Sequence, residues 1–217
     1  MLSADQLLDA LLERARGVTQ RETVAVTDAL GRVLAAPQTS GVTVPPMDNS
    51  AMDGYAVRVA DVATPGVKLA VSQRILAGAV GVPLAPGSAA RIFTGAPVPP
   101  GADAVVMQEY CAAEGDVVAI HTQPHVGENI RRAGEDVRAG DAVLATGTRL
   151  GAAEMGLAAS VGLAALPVFR KLKVACFFTG DELVAPGMTL APGQIYNSNR
   201  YTLAGLIAGL GCELIDL

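Results

Sequence analysis

The chain has 217 residues, of which 51% are apolar and 17% charged, enough to bury a substantial core in one or two domains. No apolar run reaches the roughly 18 residues that a membrane span needs, so no membrane partner is expected. A formal charge of −5 and three lysines in all (Lys68, Lys171, Lys173) exclude a nucleic-acid surface, which depends on dense phosphate neutralisation.

The three cysteines, Cys111, Cys176 and Cys212, are scattered and lack CxxC spacing, and residues 1–16 lack a basic leader with a small-residue cleavage site. A reducing cytoplasm is the expected location. In so acidic a chain, a phosphorylated ligand must be met locally by arginines and backbone N–H groups, or by a divalent cation held between carboxylates.

Along the chain, Ser3 with Gln6 forms a capping box ahead of Leu7, Leu8, Leu11 and Leu12 at helical spacing, which predicts a helix ending near Gly17. A second short helix is predicted over Asp28 to Gly31. The stretch 45–57 (PPMDNSAMDGYAV) then sets Asp48, Asn49, Ser50 and Asp53 between a rigid Pro-Pro and Gly54. Proline fixes φ and glycine opens angles closed to other residues, so the polar side chains project from a preset loop, although these are also the ordinary residues of turns.

From Gly41 to about Ala145, short β-favouring runs alternate with Gly and Pro: Tyr55 to Val59, Val67 to Ile75, Ala89 to Phe93, Ala104 to Glu109 and Val117 to His121. A hairpin is predicted about Gly115. Within this module the segment 91–109 (RIFTGAPVPPGADAVVMQE) offers the Thr94 hydroxyl and the Gly95 N–H to an oxyanion. The segment 127–136 (GENIRRAGED) places Arg131 and Arg132 near Glu135 and Asp136. Arginine forks suit phosphate or molybdate and the acids suit a cation, while mutual pairing at the surface is the alternative.

Helical texture returns at Ala152 to Val161, with Gly162 as C-cap. Helical segments thus bracket the β-rich module, which predicts a helix-containing domain (1–42 and 137–167) with a β-rich domain (43–136) inserted in it. Residues 168–217 read as strand, loop, helix and strand, the incomplete start of an α/β parallel sheet whose apolar faces need further cover. The fold class is therefore α+β and multidomain. The loop TGDEL (Thr179, Gly180, Asp181, Glu182, Leu183) and the downstream GQIYNSNR (193–200) lie at strand ends where α/β sheets bind ligands, and Asn197 or Ser198 caps the next helix. No Walker A, GxGxxG or GxSxG string is present. His121 and His125 are four apart, but Pro124 precludes the helix that would align them on a metal, so both are read as structural.

The loop 45–57, together with RIFTGAPVPPGADAVVMQE, GENIRRAGED and TGDEL with GQIYNSNR, resembles the molybdopterin molybdenumtransferase family, bacterial MoeA and the gephyrin E domain, with the motifs in family order over residues 45–200. The resemblance implies a MogA-like α/β third domain and insertion of molybdenum from molybdate into adenylylated molybdopterin, with a divalent cation, Mg²⁺, and release of AMP. It assigns catalytic roles to Asp53, Asp136 and Glu182, with Asp53 and Asp136 as metal ligands. It assigns an oxyanion contact to Thr94, and the residues of the same motifs add Gly95, Asp48, Asn49, Ser50, Arg131, Arg132, Gly180, Asp181, Ser198 and Asn199 as candidate substrate contacts. It further implies a homodimer with each site shared between subunits, and the protein that produces adenylyl-molybdopterin as a partner. Phe178 stands where the family usually has serine, and Asn197 where aspartate is common. Family chains continue for roughly as long again, with further ligand positions. The alternative is a noncatalytic molybdopterin-binding or dimerisation module on the same fold.

Overall fold

Ser3 caps the first helix by the predicted capping box: its hydroxyl accepts from the Gln6 N–H at 3.2 Å and its own N–H donates to Gln6 Oε1 at 2.9 Å. The helix, α1 (Ala4–Arg14), ends about a turn before Gly17, capped at Ala15. It buries no residue, and its four leucines are all exposed. The computed structural model describes residues 3–217, which divide into one unit of residues 39–143 and another of 3–38 with 144–217.

The 39–143 unit is built on a six-stranded mixed sheet in the spatial order Ala104–Met107, Gly54–Val57, Ser88–Ile92, Val67–Ile75, Val117–Ile120, Cys111–Glu114. Only Val67–Ile75 and Ser88–Ile92 run parallel. The predicted strands therefore form, with ends shifted by one or two residues, and the run to Glu109 breaks into a 3-10 turn at Gln108–Tyr110. The hairpin pairs Glu114 with Val117, and Gly115 supplies φ 62° at its turn.

Four of its strands, Gly54–Val57, Ser88–Ile92, Ala104–Met107 and Val117–Ile120, are buried nearly throughout and read as mostly apolar runs, whereas Val67–Ile75 alternates and Cys111–Glu114 is largely exposed. Tyr55, Val57, Ala89 and Val106 join one core cluster, and their neighbours Ala56, Ala90 and Val105 the other. Leu69 and Ile75 break this parity. They are six residues apart, so an uninterrupted strand would turn them to one face, yet they lie in opposite clusters. The register slips between Val71 and Gln73 against the parallel neighbour, and that one-residue bulge sends the rest of the strand to the other side. The segments that lead into and out of this unit meet, with the Ser40 N–H on Asp141 O at 2.9 Å and the Gly140 N–H on Ser40 O at 2.8 Å.

In the other unit, residues 28–31 do not form the predicted helix. A 3-10 turn covers Val26–Asp28, and Gly31 at φ 74° ends it, since so few residues cannot close an α-helical ladder. An antiparallel pair that periodicity does not predict joins Arg21–Ala25 to Ala165–Phe169. Helix α2 (Ala152–Ser160) stops before Gly162 at φ 81°. Strands Lys173–Cys176 and Glu213–Asp216 pair in parallel, joined through helix α3 (Ser198–Gly209). Asn197, rather than Ser198, is the N-cap of α3, accepting from the Arg200 N–H at 3.2 Å. Apolar side chains stay exposed here: Phe177, Leu206, Leu210 and Ile215 are uncovered, and α3 buries Ile207 alone. No helix among the described residues is long and apolar enough to cross a membrane.

Candidate functional site

Residues 48–53 are stitched into the 39–143 unit from two sides. Asn49 and Ser50 pair antiparallel with Arg131 and Ile130 on one side. On the other, the Ser50 N–H donates to Ala96 O at 2.9 Å, the Gly95 N–H to Ser50 O at 2.8 Å and the Val98 N–H to Asp48 O at 2.9 Å. The Ser50 hydroxyl is spent on the turn itself, bridging Met52 O at 2.5 Å and Met52 N at 3.3 Å, and the residue is buried. The Gly95 N–H, which the sequence offers to an oxyanion, is engaged by Ser50 O. The loop is thus preset by backbone bonds from segments far downstream in the sequence, and Gly54 does not take the positive φ that a glycine hinge would use.

Three carboxylates emerge from this frame. Asp53 Oδ1 accepts both the Thr94 N–H at 2.8 Å and the Thr94 hydroxyl at 2.7 Å, and Asp53 Oδ2 has no hydrogen-bond partner among the described residues. Asp48 accepts the Ala133 N–H at 2.8 Å and Arg132 Nη1 at 2.6 Å. Both oxygens of Asp136 are taken by Arg131 Nη2, at 2.6 and 2.7 Å. Arg131 also lies 3.8 Å from Glu135, and the Arg132 N–H donates to Glu135 Oε2 at 2.9 Å. The GENIRRAGED acids and arginines therefore pair with one another and with Asp48. One buried acceptor is left over: Asn49 Oδ1 has no partner among the described residues.

Thr94, through its hydroxyl and then its N–H, holds the Asp53 carboxyl below the ordinary carboxylate range, against a smaller opposing effect of desolvation and with help from the charge of Arg91. For Asp48 the Ala133 N–H acts most, then desolvation in the opposite sense, then Arg132. Both groups have folded-state values below their unfolded ones. The stability they contribute is present above the ordinary carboxylate pKa, about 3.9, and is lost as the pH falls from there through the lower folded values. Acid unfolding followed by circular dichroism is expected to show Thr94→Val and Ala133→Pro less stable than wild type at neutral pH, with the difference vanishing in strong acid.

Arg91 and Phe93 were not singled out by sequence reasoning, though both stand in the quoted RIFTG string. The Arg91 guanidinium lies 4.5 Å from the Phe93 ring centre and 5.2 Å from that of Tyr55, and Arg74 stacks on Phe93 at 4.6 Å. Arg91 also donates to Gly54 O at 2.9 Å and to Gln108 Oε1 at 2.6 Å. It ties the glycine after Asp53 to the strand that ends in Thr94. Alternation of Arg91, Phe93 and a terminal Thr-Gly was the available signal.

The remaining predicted residues belong to the other unit. Thr179, Glu182, Asn197, Ser198 and Asn199 line a cavity of about 350 Å³, and Gly180 with Asn197 and Arg200 lines a neighbouring one of about 190 Å³. Gly180 has φ 151°, and a Cβ there would lie 2.5 Å from a Glu182 carboxylate oxygen. Arg200 is fixed by two bonds to Asp216 Oδ2, at 2.7 and 2.6 Å. Asp181 is exposed in the turn before Glu182. His125 is exposed and lies 2.9 Å from Glu128, and no group of three His, Cys, Asp or Glu side chains converges among the described residues.

The family description "MoeA N-terminal region (domain I and II)" matches residues 2–162. The chain is 43% identical to a molybdopterin molybdenumtransferase of Haemophilus influenzae over 100% of its own length and 54% of that protein. It is 46% identical to molybdopterin molybdenumtransferase 2 of Mycobacterium tuberculosis over 89% of its length and 49% of that protein. Among solved structures, a molybdopterin biosynthesis moeA protein from Pyrococcus horikoshii OT3 matches with TM-score 0.86 and 33% identity, over 96% of this chain and 57% of that one. The chain spans about half the length of the curated relatives it matches.

Proposed function

Because this chain belongs to the MoeA family, matching its N-terminal region, we propose that it acts in molybdenum cofactor biosynthesis as that part of a molybdopterin molybdenumtransferase. The reaction is insertion of molybdenum from molybdate into adenylylated molybdopterin, with release of AMP. The observation that carries the reading is the Asp53–Thr94 pair: an ionised carboxylate with one oxygen fixed by two donors and the other open.

That pair suits a group that orients water or a cation beside an anionic substrate, because Thr94 removes the rotational freedom of the carboxyl and favours its ionised form. Arg131 and Arg132, each already oriented by a carboxylate, suit the oxyanions of molybdate or of the pyrophosphate link. Asn49 Oδ1 is an acceptor awaiting a donor. Glu182, Ser198 and Asn199 serve ligand positioning at the second cavity.

Mg²⁺ is usually held by one or two carboxylates with the shell completed by water and substrate phosphates, and there it neutralises phosphate charge. Asp53 Oδ2 fits that demand. Asp136 fits it only on release from Arg131. The homodimer with shared sites and the contact with the adenylyl-molybdopterin-producing protein belong to the same proposal.

Complementation of a strain deficient in this transferase, by the gene encoding this chain and by its Asp53→Ala form, tests the reading. Rescue by the first and not by the second is expected. Equal rescue by both overturns the role of Asp53, and rescue by neither favours the noncatalytic module.

A further inference from the structure

We propose that a cleft in the unit of residues 3–38 and 144–217, lined by none of the residues assigned above, binds a small amphipathic anion, a compound with an apolar body and a phosphate, sulfonate or carboxylate group. The cleft encloses about 470 Å³, within the roughly 300–1,000 Å³ of small-ligand sites. Its apolar wall is made by Val33, Phe169, Leu172 and Leu210, of which Leu172 is 55% exposed and Leu210 75%. Arg32, Arg149, Arg170 and Lys171 line it as well.

A second hollow of about 430 Å³ shares Gly17, Val18, Arg170, Lys171 and Leu172 with the first and adds Arg16 and Lys173. Six of the chain's 16 basic residues therefore line one continuous trough, and not one Asp or Glu lines either part. In a protein of net charge −5 that is a local reversal of sign, and such a cleft concentrates anions.

Existing ion pairs leave part of this charge unspent. Arg32 is committed: its side chain is 10% exposed, paired with Glu22, and it donates to Phe169 O at 2.8 Å. Arg170 reaches the same Glu22 only at 3.9 Å, and Lys173 reaches Glu213 at 3.4 Å. Arg149 and Lys171 have no carboxylate partner among the described residues. Two cations outside any salt bridge, of which Lys171 still feels the charge of Glu22, stand beside exposed leucines and define the ligand chemistry: the cations select an anionic head and the leucines a nonpolar body.

Fluorescence titration of the whole chain with 8-anilinonaphthalene-1-sulfonate as probe tests this. Arg149→Gln combined with Lys171→Gln is expected to weaken binding roughly tenfold, at two- to fivefold per partly exposed cation. Raising salt from about 0.05 M to about 0.5 M should weaken wild-type binding more than it weakens binding to the double variant. Both positions are exposed, so the fold should persist, and Leu210→Glu gives a second variant that sets a like charge in the apolar wall. Equal affinity of wild type and both variants overturns the proposal, as do probe-induced methyl shifts at the α1 leucines instead of Val33, Leu172 and Leu210.

Discussion

Gly54→Ala is expected to destabilise the 39–143 unit by about 3 kcal/mol or more, lowering its melting temperature by roughly 10–20 °C. A Cβ at this position would stand 1.9 Å from Val106 O and 2.8 Å from Val106 C, both backbone atoms of the strand alongside. A flexible side chain could swing away, but a strand paired on both sides cannot. Gly54 faces Ile92 in one neighbour and Met107 in the other, so separating the strands far enough would break one of the ladders. The same separation would move Asp53, whose carbonyl accepts the Gln108 N–H at 3.0 Å. Calorimetry on the purified variant measures the effect, and an unchanged transition would show that the sheet yields there.

On the function proposed above, Asp53→Asn is expected to reduce molybdate-dependent release of AMP from adenylylated molybdopterin about a hundredfold or more, with the melting temperature little changed. The amide keeps the shape and can still accept from Thr94, so what it removes is the charge. Thr94→Val removes the hydroxyl bond and leaves the N–H bond, and a loss of about tenfold is expected. The two variants also differ in pH dependence. Since the Thr94 hydroxyl is the largest influence holding the Asp53 carboxyl low, its removal should move the acid limb of the rate profile to higher pH. An acid limb identical in Thr94→Val and wild type would show that Asp53 is not the group that titrates in the reaction.

These two neighbours separate what a local pattern can express from what it cannot. The Gly after Asp53 could be read as a backbone hinge, yet Gly54 does not have the positive φ that such a reading implies, and the constraint on it is Val106 O. Val106 is some fifty residues away in sequence (order of magnitude), so the string MDGYA contains no sign of it. Likewise the DNS loop and the TG turn were each legible as polar and glycine-bearing, but only the ladder between the strands that carry them puts the Thr94 donors on Asp53.

What the sequence by itself determined were the features that need only a few adjacent residues: the Ser3–Gln6 capping box, the Gly115 hairpin, the Gly162 stop, the positions of most strands, and the order of motifs that marks the family. Tertiary structure alone decided the rest: the Arg21–Ala25 pairing with Ala165–Phe169, the bulge that sends Leu69 and Ile75 to opposite faces, the use of the Gly95 N–H by Ser50, and the gathering of six cations about one cleft. The physical reason is range. Capping and turn geometry are settled within a few residues of chain, whereas register, face and charge convergence depend on which distant strand lies alongside, and that is fixed only when the core packs.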